Sequence, residues 1–286
     1  LVNCLCNFKN SIFEMNFCIV TVNYKNTIHT EKLIKSIDKF SDKIDLKIII
    51  VDNSSTLKTK KKLECAIKNS KHNFKIIPYK KNLYYWPAIK KTILKEFKSI
   101  KDYPDWMIFC NNDIEFCDIN FFKKLAKYDR SKFSIIGPSI YSKNKNLNPF
   151  MLSALSRQQK FFWKIYFKSF YFSLILNAIS FCKNFFKKNN YSQNENLEVY
   201  AVHGSAIIFS KFFFKMGGQI DSNFKLYAEE ITTAEIAKRI DCKIFFIPKL
   251  KLIHNQHSSV KQLNRKKRFL LAKESHFYFI SNYLDK

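Results

Sequence analysis

WMIFCNNDIEF, residues Trp106–Phe116, is the stretch on which the reading of the whole chain turns. An apolar run stops abruptly at Asn111, Asn112 and Asp113, and a second short apolar run follows. A run of this length bounded by turn-forming residues is the pattern of a buried strand. Asn and Asp tolerate unusual backbone angles and hydrogen-bond their own main chain, so a plain turn accounts for the cluster by itself. In an open α/β sheet, though, ligands gather outside the carboxyl ends of the strands. Whether this is a turn or a site depends on how the other strands end.

Two of them end the same way. FCIVTVN (Phe17–Asn23) runs into YKNT, and LKIIIVD (Leu46–Asp52) runs into NSS; FKIIP (Phe74–Pro78) is a further strand. Between them lie helical patterns. Leu33, Ile34, Ile37 and Phe40 share a face, and Pro87 suits the first turn of a helix whose stripe is Ile89, Ile93, Leu94 and Phe97. Alternating strands and helices predict an α/β domain with a Rossmann-like, mostly parallel central sheet and flanking helices. Three polar strand-end loops, TVNYKNT, VDNSS and CNND, then converge, which raises Asp113 above a bare turn.

The second half supplies VYAVHGSAIIFS (Val199–Ser210), FFFKM, GGQID, YAEEITTAEIAKR and a last strand, IFFIPKLKLIH, ending at His254. Of the four glycines, Gly204, Gly217 and Gly218 fall here, where tight turns or close backbone approach are useful.

The composition sets bounds. A chain of 286 residues, 47% hydrophobic, holds one large domain or a domain with an appendage, and is too apolar to be disordered. Fifty Lys plus Arg against 23 Asp plus Glu give a net charge of +27, which fits nucleic acid, an anionic membrane surface or phosphorylated substrates as partners. Abundant Lys, Asn, Ile and Phe also share A/T-rich codons, so charge alone selects no partner. The eight cysteines have neither zinc-site pairing nor the density of a disulfide scaffold, which predicts reduced thiols and a cytoplasmic setting. Residues 1–14 lack the basic start and apolar core of a signal peptide and are expected to be a disordered lead-in or to lie upstream of a start at Met15.

Residues 130–194 hold eleven Lys or Arg and no Asp or Glu, and within them 150–192 is expected to be a basic, aromatic helical insertion. Its longest uncharged stretch, Ser169–Cys182, is 14 residues, short of the roughly 20 needed to cross a bilayer. Two readings stand: a helical hairpin in the interface of an anionic membrane, or an insertion packed on the main domain.

Taken in order, TVNYKN, VDNSS, CNND, GSAIIFSKFFFKMGGQID, YAEEI and the strand ending at His254 resemble the family 2 glycosyltransferases of GT-A fold, over roughly residues 16 to 260. The resemblance is nearest to bacterial enzymes that build capsular or lipopolysaccharide chains. It implies an inverting transfer from a nucleotide-diphosphate sugar to a glycan or lipid-linked acceptor, within a domain spanning 15–260 and followed by a basic helix at 261–286. It places Thr21, Asn23 and Asp52 against the donor base, and makes CNND a variant of the metal-binding DxD motif. It also makes His254 a contact to metal or diphosphate, and the second acid of the YAEEI pair, Glu230, the general base. The setting it implies is the inner face of the bacterial cell membrane, with peripheral attachment.

The chemistry asks for those residue types on its own account. A departing diphosphate needs a cation, and hard Mg²⁺ or Mn²⁺ is served by one carboxylate plus phosphate oxygens, which fits Asp113, with Asn111 and Asn112 shaping the donor loop. The acceptor hydroxyl must lose a proton, which a carboxylate takes. Three alternatives stay open at this point. Glu229 competes with Glu230, since the commoner pair is Glu-Asp; Asp52 serves equally as a turn cap; His254 serves as an ordinary strand-end histidine. Tyr84 occupies a place where many relatives have glycine, and Tyr84, Tyr85 and Trp86 either stack on the donor or pack in the core. His257, Ser258 and Lys261 are further candidates for the diphosphate. A nucleotidyltransferase would want a glycine-rich loop after the first strand, which NYKNTIHT lacks. A nucleic-acid binder is the non-enzyme alternative, and a transferase fold without turnover the third; no nucleic-acid motif is present, and none is expected as partner.

Overall fold

The structure is a computed structural model that describes residues 15–41, 43–143, 145–174, 195–255 and 264–284. The expected lead-in, the second part of the insertion, and His257, Ser258 and Lys261 lie outside the described residues.

The expected strands are all present: β1 (Asn16–Tyr24), β2 (Asp45–Asn53), β3 (Asn73–Tyr79) and β4 (Trp106–Asn111). They alternate with α1 (Ile28–Ile37), α2 (Leu57–Ile67) and α3 (Trp86–Glu96). Helix α2 opens on a capping box in which Thr56 and Thr59 satisfy each other's backbone N–H. Pro87 sits in the first turn of α3, where its missing N–H costs nothing. Ile89 and Ile93 of that helix are buried, but Leu94 is 64% exposed, so the apolar stripe is narrower than expected.

The rest of the chain adds β5 (Ile114–Phe116), α4 (Phe121–Leu125), β6 (Ile135–Ser142), β7 (Lys145–Asn146), α5 (Arg157–Tyr166), β8 (Leu197–Glu198), β9 (Ala206–Ser210), α6 (Lys211–Lys215), α7 (Glu229–Arg239), β10 (Ile244–His254) and α8 (Arg265–Phe279). One sheet results, in the order β3-β2-β1-β4-β9-β6-β10-β5, with β7 on β6 and β8 on β10. The pairs β3/β2, β2/β1, β1/β4 and β6/β10 are parallel; β9 runs antiparallel to both its neighbours. Near Pro248, which lacks a ladder N–H, the register of β10 against β6 shifts between Ile247 and Lys251.

Both faces of the sheet are covered, as a parallel core demands. Leu33, Ile37, Leu63 and Phe122 close one face, and Trp86, Ile89, Phe213 and Ala234 the other. Each large side chain so buried contributes roughly 1.5–3 kcal/mol. Because the order runs 3-2-1-4, the chain's direction of travel reverses between β1 and β4, and that switch point opens a crevice at the strands' carboxyl ends.

The described part of residues 150–192 packs on α8. Trp163 meets His276 at 4.7 Å between ring centroids, Phe167 meets His276 at 4.4 Å, and Phe167 meets Phe269 at 5.8 Å. Its other face is open: Phe161 is 66% and Tyr171 72% exposed. Among the described residues no helix is long and apolar enough to cross a membrane.

Candidate active site

A cleft of about 580 Å³ lies over the switch point. The carboxyl ends of β1, β2 and β4 form its floor through Tyr24, Asn53, Asn112 and Asp113; the loop before α3 brings Tyr84 and Tyr85; His203 to Ser205 and the start of α7 form the opposite wall; and Trp163, Lys267, Leu271 and His276 roof it. Parallel strands thus put the donor-side loops together; β9, antiparallel to β4, begins at this end of the sheet just after His203 to Ser205, and β10, parallel to β6, ends here at His254.

Asp113 is 5% exposed, in the turn between β4 and β5. Its backbone carbonyl accepts from Asn255 N–H at 3.0 Å, and β5 pairs with β10 so that His254 stands opposite Ile114. This puts His254 Nε2 3.0 Å from Asp113 Oδ1, although neither ring nitrogen of His254 forms a hydrogen bond of acceptable angle. A carboxylate oxygen and an imidazole nitrogen at such a distance suit adjacent corners of one octahedral ion, because ligands about 2.1 Å from a metal lie about 3.0 Å apart. Among the described residues no group of three or more His, Cys, Asp and Glu encloses an ion. The pair offers one carboxylate oxygen and one imidazole nitrogen, so a cation held here would take its remaining ligands from outside these residues.

Glu229 and Glu230 start α7, whose backbone enters through two consecutive left-handed residues, Tyr227 (φ 66°) and Ala228 (φ 72°). Neither is glycine, so each costs about 1–2 kcal/mol, strain of the kind held at functional sites. Acids in a first turn are favoured by the helix dipole. Glu230 accepts from Gly204 N–H at 2.9 Å. A Cβ on Gly204 would stand 2.7 Å from Glu230 Oε1, so the absence of a side chain there lets the carboxylate approach. Burial raises both carboxyl groups above the ordinary value; the charge of Glu230 adds to the rise at Glu229, and the Gly204 N–H opposes the rise at Glu230.

Thr21, Asn23 and Asp52 are brought close to the cleft but do not line it; each is fully buried. Asp52 Oδ1 accepts from Asn23 Nδ2 at 2.9 Å and Oδ2 from Thr59 Oγ1 at 2.8 Å. Asn53 reaches the cleft, and ties the next loop by donating to Asn82 Oδ1 and to Tyr84 O and accepting from Leu83 N–H. Tyr84 has φ 64°, the conformation that glycine adopts without cost, and Trp86 is in the core. Asn111 and Asn112 line the cleft beside Asp113.

The cleft also contains residues to which no role was given in advance. His203, whose Nδ1 is 2.9 Å from Ser205 Oγ, is pushed down to about 4 by burial and by His254, so it is neutral at pH 7. The same value holds for His276 through burial, and its Nδ1–H donates to Ala272 O at 2.7 Å. The HGS stretch stood beside a glycine already noted, a usable signal; nothing local marks Trp163 or His276.

Comparison with known proteins bears on the family and the fold. The family model for glycosyl transferase family 2 matches residues 17–212. A search of curated proteins finds no match. Among solved structures, GalNAc-T7 with UDP, GalNAc and Mn²⁺ is 15% identical with a TM-score of 0.56, over 86% of this chain and 44% of that one. A fragment of S. aureus TarS is 13% identical with a TM-score of 0.53, over 94% and 72%. The mannosyltransferase PcManGT from Pyrobaculum calidifontis, in complex with GDP-Man and Mn²⁺, is 10% identical with a TM-score of 0.52, over 95% and 70%. This chain thus spans less than half the length of GalNAc-T7, and at such identities the likeness is one of fold. With a family match over more than two thirds of its length, on a sheet that carries the fold of those enzymes, the chain belongs to glycosyl transferase family 2.

Proposed function

We propose that the protein moves a sugar, with inversion, from a nucleotide-diphosphate donor to a hydroxyl of a glycan or lipid-linked acceptor in surface polysaccharide synthesis. The observation that carries this reading is the Asp113–His254 pair at 3.0 Å, with the Glu230 carboxylate in the same cleft. Asp113 and His254 would hold Mg²⁺ or Mn²⁺, and the imidazole favours the softer Mn²⁺. When bound, that ion neutralises charge developing on the leaving diphosphate. Glu230 takes the proton of the acceptor hydroxyl while the new C–O bond forms and the bond to the diphosphate breaks with its electron pair. A raised carboxyl pKa makes a better proton acceptor near neutral pH, and such assistance is typically worth about 10²–10⁴ in rate. Tyr84 and Tyr85 present aromatic surface for the donor, and Asn53 shapes their loop.

The open aromatic face of the insertion, with Lys160, Lys164 and Lys168 interleaved, supports peripheral attachment to an anionic cytoplasmic leaflet.

Calorimetric titration with UDP, GDP, CDP and dTDP, with and without Mn²⁺, tests the core of this. One nucleotide should bind in a metal-dependent way. Asp113→Ala should abolish the metal-dependent part, whereas Glu230→Gln should bind normally and lose at least about 100-fold in turnover. Wild-type turnover in Glu230→Gln would move the base to Glu229; no binding by any nucleotide would sink the reading.

A further inference from the structure

Asp52 lies under the cleft, yet its side chain is wholly buried and each carboxylate oxygen already accepts a hydrogen bond. The bonds continue toward the metal loop. Asn23, which donates to Asp52, accepts from Thr30 Oγ1 at 2.8 Å, and Thr30 Oγ1 accepts in turn from Asn112 Nδ2 at 3.0 Å. Asn23 and Thr30 are as buried as Asp52. Four elements are thereby linked: α2 through Thr59, β2 through Asp52, β1 through Asn23, and α1 through Thr30, which reaches the turn after β4.

The chain of bonds has a direction. Thr30 has one hydroxyl proton, which goes to Asn23, so its oxygen lone pair is what Asn112 meets. Every donor from Asn112 to Asn23 therefore points toward the Asp52 charge, which terminates and polarises the series. This fixes the Asn112 amide with its nitrogen inward, so that the carbonyl oxygen is the end presented to the cleft beside Asp113.

We infer that Asp52 is a positioning residue for the cation site: acting through Asn23 and Thr30, it orients the carbonyl oxygen of Asn112 toward the Asp113-bound ion or its water, and leaves base recognition to other groups. This rests on the metal-dependent reading above, and it differs from the base contact that the family resemblance implies for Asp52. The Asp52 carboxylate is wholly buried, does not line the cleft and holds a protein donor on each oxygen, so a nucleobase in the cleft does not reach it.

The test uses the full chain and follows Mn²⁺ itself, by the electron paramagnetic resonance of the free ion, at saturating levels of whichever nucleoside diphosphate the wild type prefers. Thr30→Val keeps the shape and removes both bonds. It should raise the Mn²⁺ Kd about 10-fold, at the lower end of what outer-shell partners of metal ligands are worth. The order of preference among UDP, GDP, CDP and dTDP should stay unchanged. Thr30→Ser should restore wild-type affinity. Asn112→Ala, at the partly exposed end, should show the same loss without disturbing the core. The Thr30→Val/Asn112→Ala double variant should be no worse than either single one, since both cut the same connection.

Three outcomes overturn the inference: unchanged Mn²⁺ affinity in Thr30→Val, additive losses in the double variant, or an Asp52→Asn protein whose nucleotide preference changes while its Mn²⁺ affinity does not. A wild type that binds no Mn²⁺ overturns both this and the reading it rests on; wild-type binding with an unaffected Thr30→Val overturns this alone.

Discussion

Gly204→Ala separates the place of the Glu230 carboxylate from its mere presence. The added Cβ would stand 2.7 Å from Oε1, 3.1 Å from Cδ and 3.6 Å from Cγ, so its three nearest neighbours all belong to the Glu230 side chain. Bringing the oxygen out to the 3.4 Å of ordinary contact requires a shift of about 0.7 Å, and it breaks or bends the 2.9 Å bond from the Gly204 N–H. The atoms that must give are the end of a flexible side chain, so the fold loses little and Tm should stay within about 3 °C. Catalysis is less tolerant, since a misplacement of 1 Å costs up to about 10²-fold. A loss in kcat of about 10- to 50-fold, or about 1.4–2.3 kcal/mol of barrier, is therefore expected. The assay is steady-state transfer, run beside calorimetric binding of the nucleoside diphosphate with Mn²⁺, which should stay within about twofold because no donor-side group moves. The Gly204 N–H also opposes the rise in the Glu230 carboxyl, so its loss should move the acid limb of the rate profile to higher pH. A Gly204→Ala enzyme with wild-type kcat, alongside an inactive Glu230→Gln, would refute the reasoning, because the carboxylate would then work from some position other than the one seen here.

Two further outcomes are expected. The Glu229 carboxyl is raised by burial, so the native state holds its proton more tightly than the unfolded chain and stability falls as pH climbs from the ordinary glutamate range through the raised value. Glu229→Gln should accordingly melt higher than wild type near pH 8 and match it near pH 4 in a thermal scan, and an equal gain at both would rule the charge out as its cause. In co-sedimentation, vesicles containing anionic lipid should carry down the wild type in a salt-sensitive way, and Phe161→Ser with Tyr171→Ser should weaken this at least about fivefold; equal binding by both would place the contact elsewhere.

Much of the architecture was legible because it is written in local pattern. The run IFFIPKLKLIH spans the whole of β10, and the polar ends of three parallel strands pointed to the cleft. Asp113 and the Glu229–Glu230 pair, far apart in sequence, line it together, and His254 stands behind Asp113 at 3.0 Å. What pattern could not carry was the direction of a side chain beyond a strand end. Asp52 and Asn53 are adjacent, and the pleat turns one into the protein and lets the other reach the cleft. Nor could it foresee the roof: Trp163 and His276 are 113 positions apart, and only the packing of α5 on α8 joins them. The position of Tyr84, by contrast, was visible as a departure from glycine, and its positive φ shows the backbone keeping a shape that the side chain opposes.

The order of the sheet also bears on how this protein is handled at the bench. The family match stops at residue 212, yet β10, which follows it, lies between β6 and β5 in the middle of that half of the sheet. A fragment cut where the similarity ends would take from β5 the strand it pairs with and leave β6, still paired with β9, with its other side a long, apolar, unprotected edge, the kind that recruits other chains. It would keep the donor-side loops and Trp163 and lose Glu229, Glu230, His254 and the α8 part of the roof together. Such a fragment would precipitate before it could be assayed, and its inactivity would say nothing about the enzyme.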